Sequence, residues 1–195
     1  MNKKMKKELV QWAAIGSVFL VLFLTGLHTE VFGFLQRGIL ATGLMAPDIE
    51  NPTATQEDHI KADLNVPLLN SKGERLNMQK FEDKVVFMNI WATWCAPCVA
   101  EMPGINALYN DLKDENIAFV MLSVDDEFEK AIAFKNRKDF DFEVYRSNGN
   151  FPQMYNSQSL PTTYIIDARG NLVLTHKGMA RYNSDEFKNY LRNLM

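Results

Sequence analysis

The most continuous apolar stretch comes first. From Leu9 to Leu27, LVQWAAIGSVFLVLFLTGL, no charged residue occurs. As a helix this stretch rises about 28 Å, close to the roughly 30 Å hydrocarbon core of a bilayer. A second apolar run, VFGFLQRGILATGLMA from Val31 to Ala46, is broken by Gln36, Arg37 and glycines and reads as a membrane-proximal tether. Pro47 to Lys61, PDIENPTATQEDHIK, mixes prolines, acids and threonines without periodicity, which is linker composition.

Beyond the linker the apolar residues fall into short runs. Val66–Leu69 and Arg75–Leu76 flank Asn70-Ser71-Lys72-Gly73, which predicts a hairpin with a glycine turn. KVVFMNIW at 84–91 and IAFVMLSV at 117–124 are continuous, as strands buried on both faces are. Between them Met102, Ile105, Leu108 and Leu112 recur at helical spacing. Phe128, Ile132 and Phe134 mark a second helix over 126–137. TTYIID and LVLT, separated by ARGN, predict another hairpin. Ser184 caps a closing helix over 185–194 that turns Phe187, Tyr190 and Leu191 inward. This order predicts an α/β domain with helices on both faces of a mixed sheet. The expected division is a basic tail over 1–8, a transmembrane anchor over 9–28, a membrane-proximal segment and linker over 29–61, and a folded domain over 62–195.

Charge adds an orientation. Lys3, Lys4, Lys6 and Lys7 precede the apolar run, which predicts a cytoplasmic N-terminus and a domain on the far side of the membrane. The competing reading is a cleaved signal peptide. The run is long for one, and Thr25-Gly26-Leu27-His28 makes a poor cleavage site. After position 46, 16 basic and 22 acidic residues leave the chain about six charges negative. A nucleic-acid partner is therefore not expected, since no basic surface is encoded to meet phosphates.

The stretch NIWATWCAPCVAEMP, Asn89 to Pro103, holds both cysteines of the chain, Cys95 and Cys98. Two cysteines cannot form a disulfide framework, and a domain of this length buries an adequate core without one. Strand, loop, Cys-x-x-Cys and helix in succession put Cys95 at a helix N-terminus, where free N–H groups favour a thiolate. Pro97 suits the first helical turn. Cys98, one turn further in, is shielded and close enough to resolve a mixed disulfide on Cys95. Two other readings are an inert staple, which closes too short a loop to restrain the unfolded chain much, and a metal site. Zinc or copper would need ligands from His28, His59 and His176, of which the first two lie beside the apolar run and in the linker.

These residues resemble the thioredoxin superfamily, and within it the membrane-tethered TlpA/ResA-like thiol-disulfide oxidoreductases. VVFMNIWATWCAPCVAEMP is similar to the family's active-site strand, motif and first helix. SLPTTYIIDARGNLV is similar to its second signature, which contains a cis-proline loop, and LNSKGERLNMQKFEDK to its N-terminal β-hairpin. The similarity runs from about Asp63 to Met195. The resemblance implies a thioredoxin-like fold and an extracytoplasmic enzyme that reduces or exchanges disulfides in exported proteins. Components of cytochrome c maturation are one class of such substrates. It implies no cofactor beyond the Cys95–Cys98 couple, and a membrane electron donor to re-reduce that couple.

Carried onto this chain, the resemblance makes Cys95 the exposed nucleophile and Cys98 the resolving cysteine. Pro161 becomes the cis-proline that presents backbone to a bound peptide, with Leu160 beside it; Trp94, Ala96 and Pro97 flank the same substrate. Without the resemblance, Pro161 reads as an ordinary strand-start proline. Asn89 stands where thioredoxin has a proton-carrying aspartate, and Glu101, one turn beyond Cys98, is the candidate replacement. Its other reading is an acid favoured by the helix dipole. The rival functions are a redox-responsive binding module without turnover and a copper chaperone.

Overall fold

The computed structural model describes residues 3–24 and 60–195, together with positions 38, 40 and 47. In chain order the elements are helix α1 (Lys3–Leu24), strands β1 (Ile60–Lys61), β2 (Pro67–Asn70), β3 (Arg75–Asn77) and β4 (Val85–Trp91), helix α2 (Ala96–Leu112), strand β5 (Ile117–Ser123), helix α3 (Phe128–Arg137), strands β6 (Val144–Ser147), β7 (Thr162–Ile166) and β8 (Asn171–Lys177), and helix α4 (Asp185–Arg192). Single 3-10 turns occupy Met78–Phe81 and Gln153–Tyr155.

The strands form one mixed sheet in the order β1-β8-β7-β4-β5-β6-β2-β3. β4 pairs parallel with β5, and β5 with β6; the remaining pairs are antiparallel. Every residue of β4 and β5 is buried, as their unbroken apolar runs require. Along β4 the two faces separate cleanly. Val85, Phe87 and Trp91 enter one core with residues of α2, α3 and α4. Val86, Met88 and Ile90 enter a second core with Val66, Leu68, Met78 and Tyr155. Asn89 lies on the face of the first core, as a polar residue in an otherwise apolar row.

The expectation of helices on both faces is not met: α2, α3 and α4 all contribute to the first core. The reason is topological. The crossovers β4-α2-β5 and β5-α3-β6 step in the same direction along the sheet, and right-handed crossovers then place both helices on the same side. The second face is closed by the 3-10 turns and the segment 62–66. β6 has no counterpart in the sequence-based reading. Its four residues, VYRS, are too few to show a period, and its parallel register with β5 spans two residue pairs.

At the N-terminal side, Ile60 and Lys61 fall at the end of the segment read as linker, yet they pair with Leu172 and Asn171 on the edge of β8. α1 covers most of the expected span, while residues 25–28 lie outside the described ones. Among the described residues, no helix is long and apolar enough to cross a membrane. Apart from positions 38 and 40, the broken apolar run at 31–46 lies outside them, as do most of the linker, His28 and His59.

Candidate active site

β4 ends at Trp91, and the next four residues turn into α2. The Cys95 N–H donates to the Ala92 carbonyl at 3.2 Å, which closes the turn. Cys95 is the N-cap of α2: its Sγ accepts from the Cys98 N–H at 3.3 Å, and Pro97 occupies the first turn. Cys95 and Cys98 form a disulfide with 5.2 Å between their Cα atoms. The expected exposure of Cys95 is corrected here. It is 6% exposed and Cys98 is fully buried, whereas Trp94 is 61% exposed. Cys95 is covered because the N-cap position turns its side chain back over the helix end, where its Sγ meets the Cys98 N–H.

The loop carrying Trp94 is fastened from β5. Trp91 and Ser123 are paired in register, so the residues just beyond each strand lie side by side. The Asp125 carboxylate accepts the Thr93 N–H at 3.0 Å, the Thr93 hydroxyl at 2.6 Å and the Ser123 hydroxyl at 2.8 Å. On the other side of β4, Thr162 pairs with Ile90. Leu160 and Pro161, joined by a cis peptide, therefore lie at the same end of the sheet as the cysteine loop. The Pro161 carbonyl accepts the Gly178 N–H at 2.8 Å, with Gly178 at φ 99°, a backbone shape that suits glycine. Ala96, Pro97 and Leu160 are half-buried, and Pro161 is buried.

Glu101 is the most unusual group nearby. It faces inward from the second turn of α2 and is 2% exposed, so its position does not answer to the helix dipole. Oε1 accepts from Asn89 Nδ2 at 2.8 Å, and Oε2 accepts from the Ala180 N–H at 3.1 Å. Burial pushes its pKa up to about 8, against the pull of those two donors. Its pocket, of about 370 Å³, is lined also by Leu40, Ala100, Gly104, Ala180, Arg181 and Asn183.

The sequence-predicted residues thus gather at one end of the sheet, with Glu101 beneath on the same helix. Thr163, Tyr182, Ala180 and Asp125 were not anticipated. Only Asp125 left a readable signal: parallel pairing of the two apolar strands puts it level with Thr93. Among the described residues no cluster of three or more His, Cys, Asp or Glu side chains could hold a metal ion.

A cysteine pair at the N-cap of the helix that follows a central strand, beside a cis-proline loop, defines a thiol-disulfide oxidoreductase of the thioredoxin superfamily. The chain belongs to the Redoxin family, whose profile matches residues 42–194, and it is ResA/TlpA-like within the superfamily. It is 31% identical over 134 residues to the thiol-disulfide oxidoreductase ResA of Bacillus thuringiensis subsp. konkukian, covering 67% of this chain and 75% of the relative. ResA of Halalkalibacterium halodurans is 29% identical over 131 residues, with 66% and 74% covered. Among solved structures, a Bacteroides vulgatus protein studied as a candidate thiol-disulfide oxidoreductase superposes with a TM-score of 0.61 at 22% identity, covering 73% of this chain and all of that one. That superposition shows the thioredoxin-like fold. Enzymes of this kind act through a redox-active cysteine pair and need no cofactor.

Proposed function

We propose that this chain is a membrane-tethered, extracytoplasmic reductase of disulfides in exported proteins, working through the Cys95-Ala96-Pro97-Cys98 pair. The observation that carries the reading is the Cys98 N–H aimed at Cys95 Sγ at the N-cap of α2, with a buried acid one turn further along. In the reduced enzyme that N–H favours a Cys95 thiolate. Cys95 attacks one sulfur of a substrate disulfide, and the other substrate sulfur leaves and takes up a proton. Cys98, giving its proton to the carboxylate form of Glu101, whose share grows as pH approaches 8, attacks Cys95 Sγ and expels the second substrate sulfur. Two electrons pass to the substrate, and the Cys95–Cys98 disulfide remains for a membrane dithiol donor to reduce.

Trp94 and the backbone around Ala96, Pro97, Leu160 and Pro161 form the surface a substrate peptide lies on. The tether reading is supported by α1, whose Leu9, Trp12, Ile15 and Leu20 side chains are all exposed, and by the lysines at its start.

The test is a trapping experiment. Cys98→Ser should accumulate mixed disulfides through Cys95 and lose turnover in an insulin-reduction assay. A variant that traps nothing would overturn catalysis by this pair. The equilibrium potential against glutathione tests direction: a value near −270 mV supports a reductase, and one near −120 mV identifies an oxidant.

A further inference from the structure

Four side chains from four parts of the fold meet in the first core. Asn89 and Thr163 lie directly opposite each other on β4 and β7, and Tyr182 follows β8. Both Asn89 and Thr163 are fully buried, and Tyr182 is 1% exposed. The Tyr182 hydroxyl donates to Thr163 Oγ1 at 2.7 Å. Asn89 Nδ2 donates one hydrogen to the same oxygen at 2.9 Å and the other to Glu101 Oε1 at 2.8 Å. Among the described residues, Asn89 Oδ1 has no partner.

That unpartnered carbonyl is informative. A side-chain amide can offer a carboxyl group either its NH₂ or its C=O. Nothing bonded to Oδ1 holds the orientation seen, so the hold comes from the two acceptors of Nδ2; once Glu101 is protonated and could donate instead, only the Thr163 side still requires an N–H. With Tyr182 donating to one lone pair of Thr163 Oγ1 and Asn89 to the other, the threonine's own hydrogen points away from the amide. Only an N–H then suits the contact between Asn89 and Thr163.

We propose that Thr163 and Tyr182 are positioning residues for Glu101: together they lock the Asn89 amide with an N–H toward the buried carboxylate. The proposal rests on Glu101 being the proton-handling residue. A donor held at Oε1 favours the charged carboxylate and opposes its burial, so the lock sets the pH at which Glu101 changes charge. If the threonine hydroxyl is freed or removed, the amide can turn its carbonyl toward a protonated Glu101. The neutral form then gains an acceptor, and the midpoint rises. Among the described residues, the other ionisable groups around this cluster are Tyr182 itself, Arg181 in the same pocket, Cys98 one turn back on α2 once the disulfide is reduced, and His176 on β8, which pairs with Thr163 and whose ring lies 6.4 Å from that of Tyr182. β4 and β7 contribute the uncharged Asn89 and Thr163.

The test is an infrared titration of the buried carboxyl band in the full chain, run beside the pH profile of mixed-disulfide resolution. Thr163→Val and Tyr182→Phe should each raise the carboxyl midpoint by roughly half to one pH unit, and Asn89→Leu by about one or more. Thr163→Ser keeps the hydroxyl and should titrate as the parent chain does. Parent-like midpoints in Thr163→Val and Tyr182→Phe would overturn the lock, as would a Thr163→Ser midpoint that follows Thr163→Val. Glu101→Gln must abolish the band; a band that still titrates in this variant also overturns the proposal. If Glu101→Gln leaves the resolution profile unchanged, the role of Glu101 in turnover falls, while the lock is judged by the band alone.

Discussion

Asp125 and Glu101 flank the cysteine motif from opposite sides, and the fold treats the two acids differently. Asp125 is half-buried and takes hydrogen bonds from the Thr93 amide, the Thr93 hydroxyl and the Ser123 hydroxyl. Glu101 is almost wholly buried and, among the described residues, has two donors, Asn89 and Ala180. An acid saturated with donors works as a fastener, since losing it leaves those donors unpaired. An acid buried with few donors can change its charge near neutral pH, because desolvation and the hydrogen bonds that resist it nearly balance. The comparison separates holding the loop from handling protons, two tasks that residue type alone would not distinguish.

The largest expected effect tests the Glu101 half of this contrast. Its folded pKa of about 8 stands above the ordinary value of 4.5. Between those values the folded chain keeps a proton that the unfolded chain has released. Stability is therefore fullest below the ordinary value and declines as pH rises toward 8. The parent should lose about 3 kcal/mol between pH 5 and pH 8, and Glu101→Gln should remove most of that loss whatever its stability at pH 5. Denaturant melts at pH 5 and pH 8 check it; an undiminished slope in the variant would remove the contrast.

A smaller effect is expected at Asp125. Asp125→Ala strands three donors at the loop and should cost about 2 kcal/mol, measured as a shift in melting midpoint. Asp125→Asn keeps an acceptor and should cost about 1 kcal/mol. The smallest effect sharpens the division of labour: Asp125→Asn should leave the Glu101 midpoint unmoved within about 0.2 pH unit, since the two acids share no hydrogen-bond partner. A larger movement would show that loop and acid are coupled.

How much of this was legible in the sequence varied with the distance between the residues involved. The two buried strands, the active-site helix and the cysteine pair showed in local pattern, and Glu101 was found because it lies on the same helix as Cys98. Thr163 is 74 residues from Asn89, and nothing local to either predicts their hydrogen bond. Their meeting follows from the antiparallel register of β4 and β7, which only the folded sheet supplies. Tyr182 has no place in the sequence-based reading. Its function-bearing part is a hydroxyl, while its ring is ordinary core against Phe87 and Phe187. The placement of α2, α3 and α4 on one face was obscured for a different reason. It depends on the direction in which successive strands are added, and element order does not reveal that direction.

The pairing of Ile60 with Leu172 has a mechanical consequence. Through β8 and β7 this pair is level with Val86, at the start of β4, while the cysteine loop begins at the other end of that strand. The strand from Val86 to Trp91 separates the two levels, about 20 Å. Ile60 thus joins the sheet at its heel, with the cysteines at the toe. A strand added at Ile60 therefore lengthens the edge of the sheet about 20 Å from the sulfurs and leaves the cysteine end clear of it.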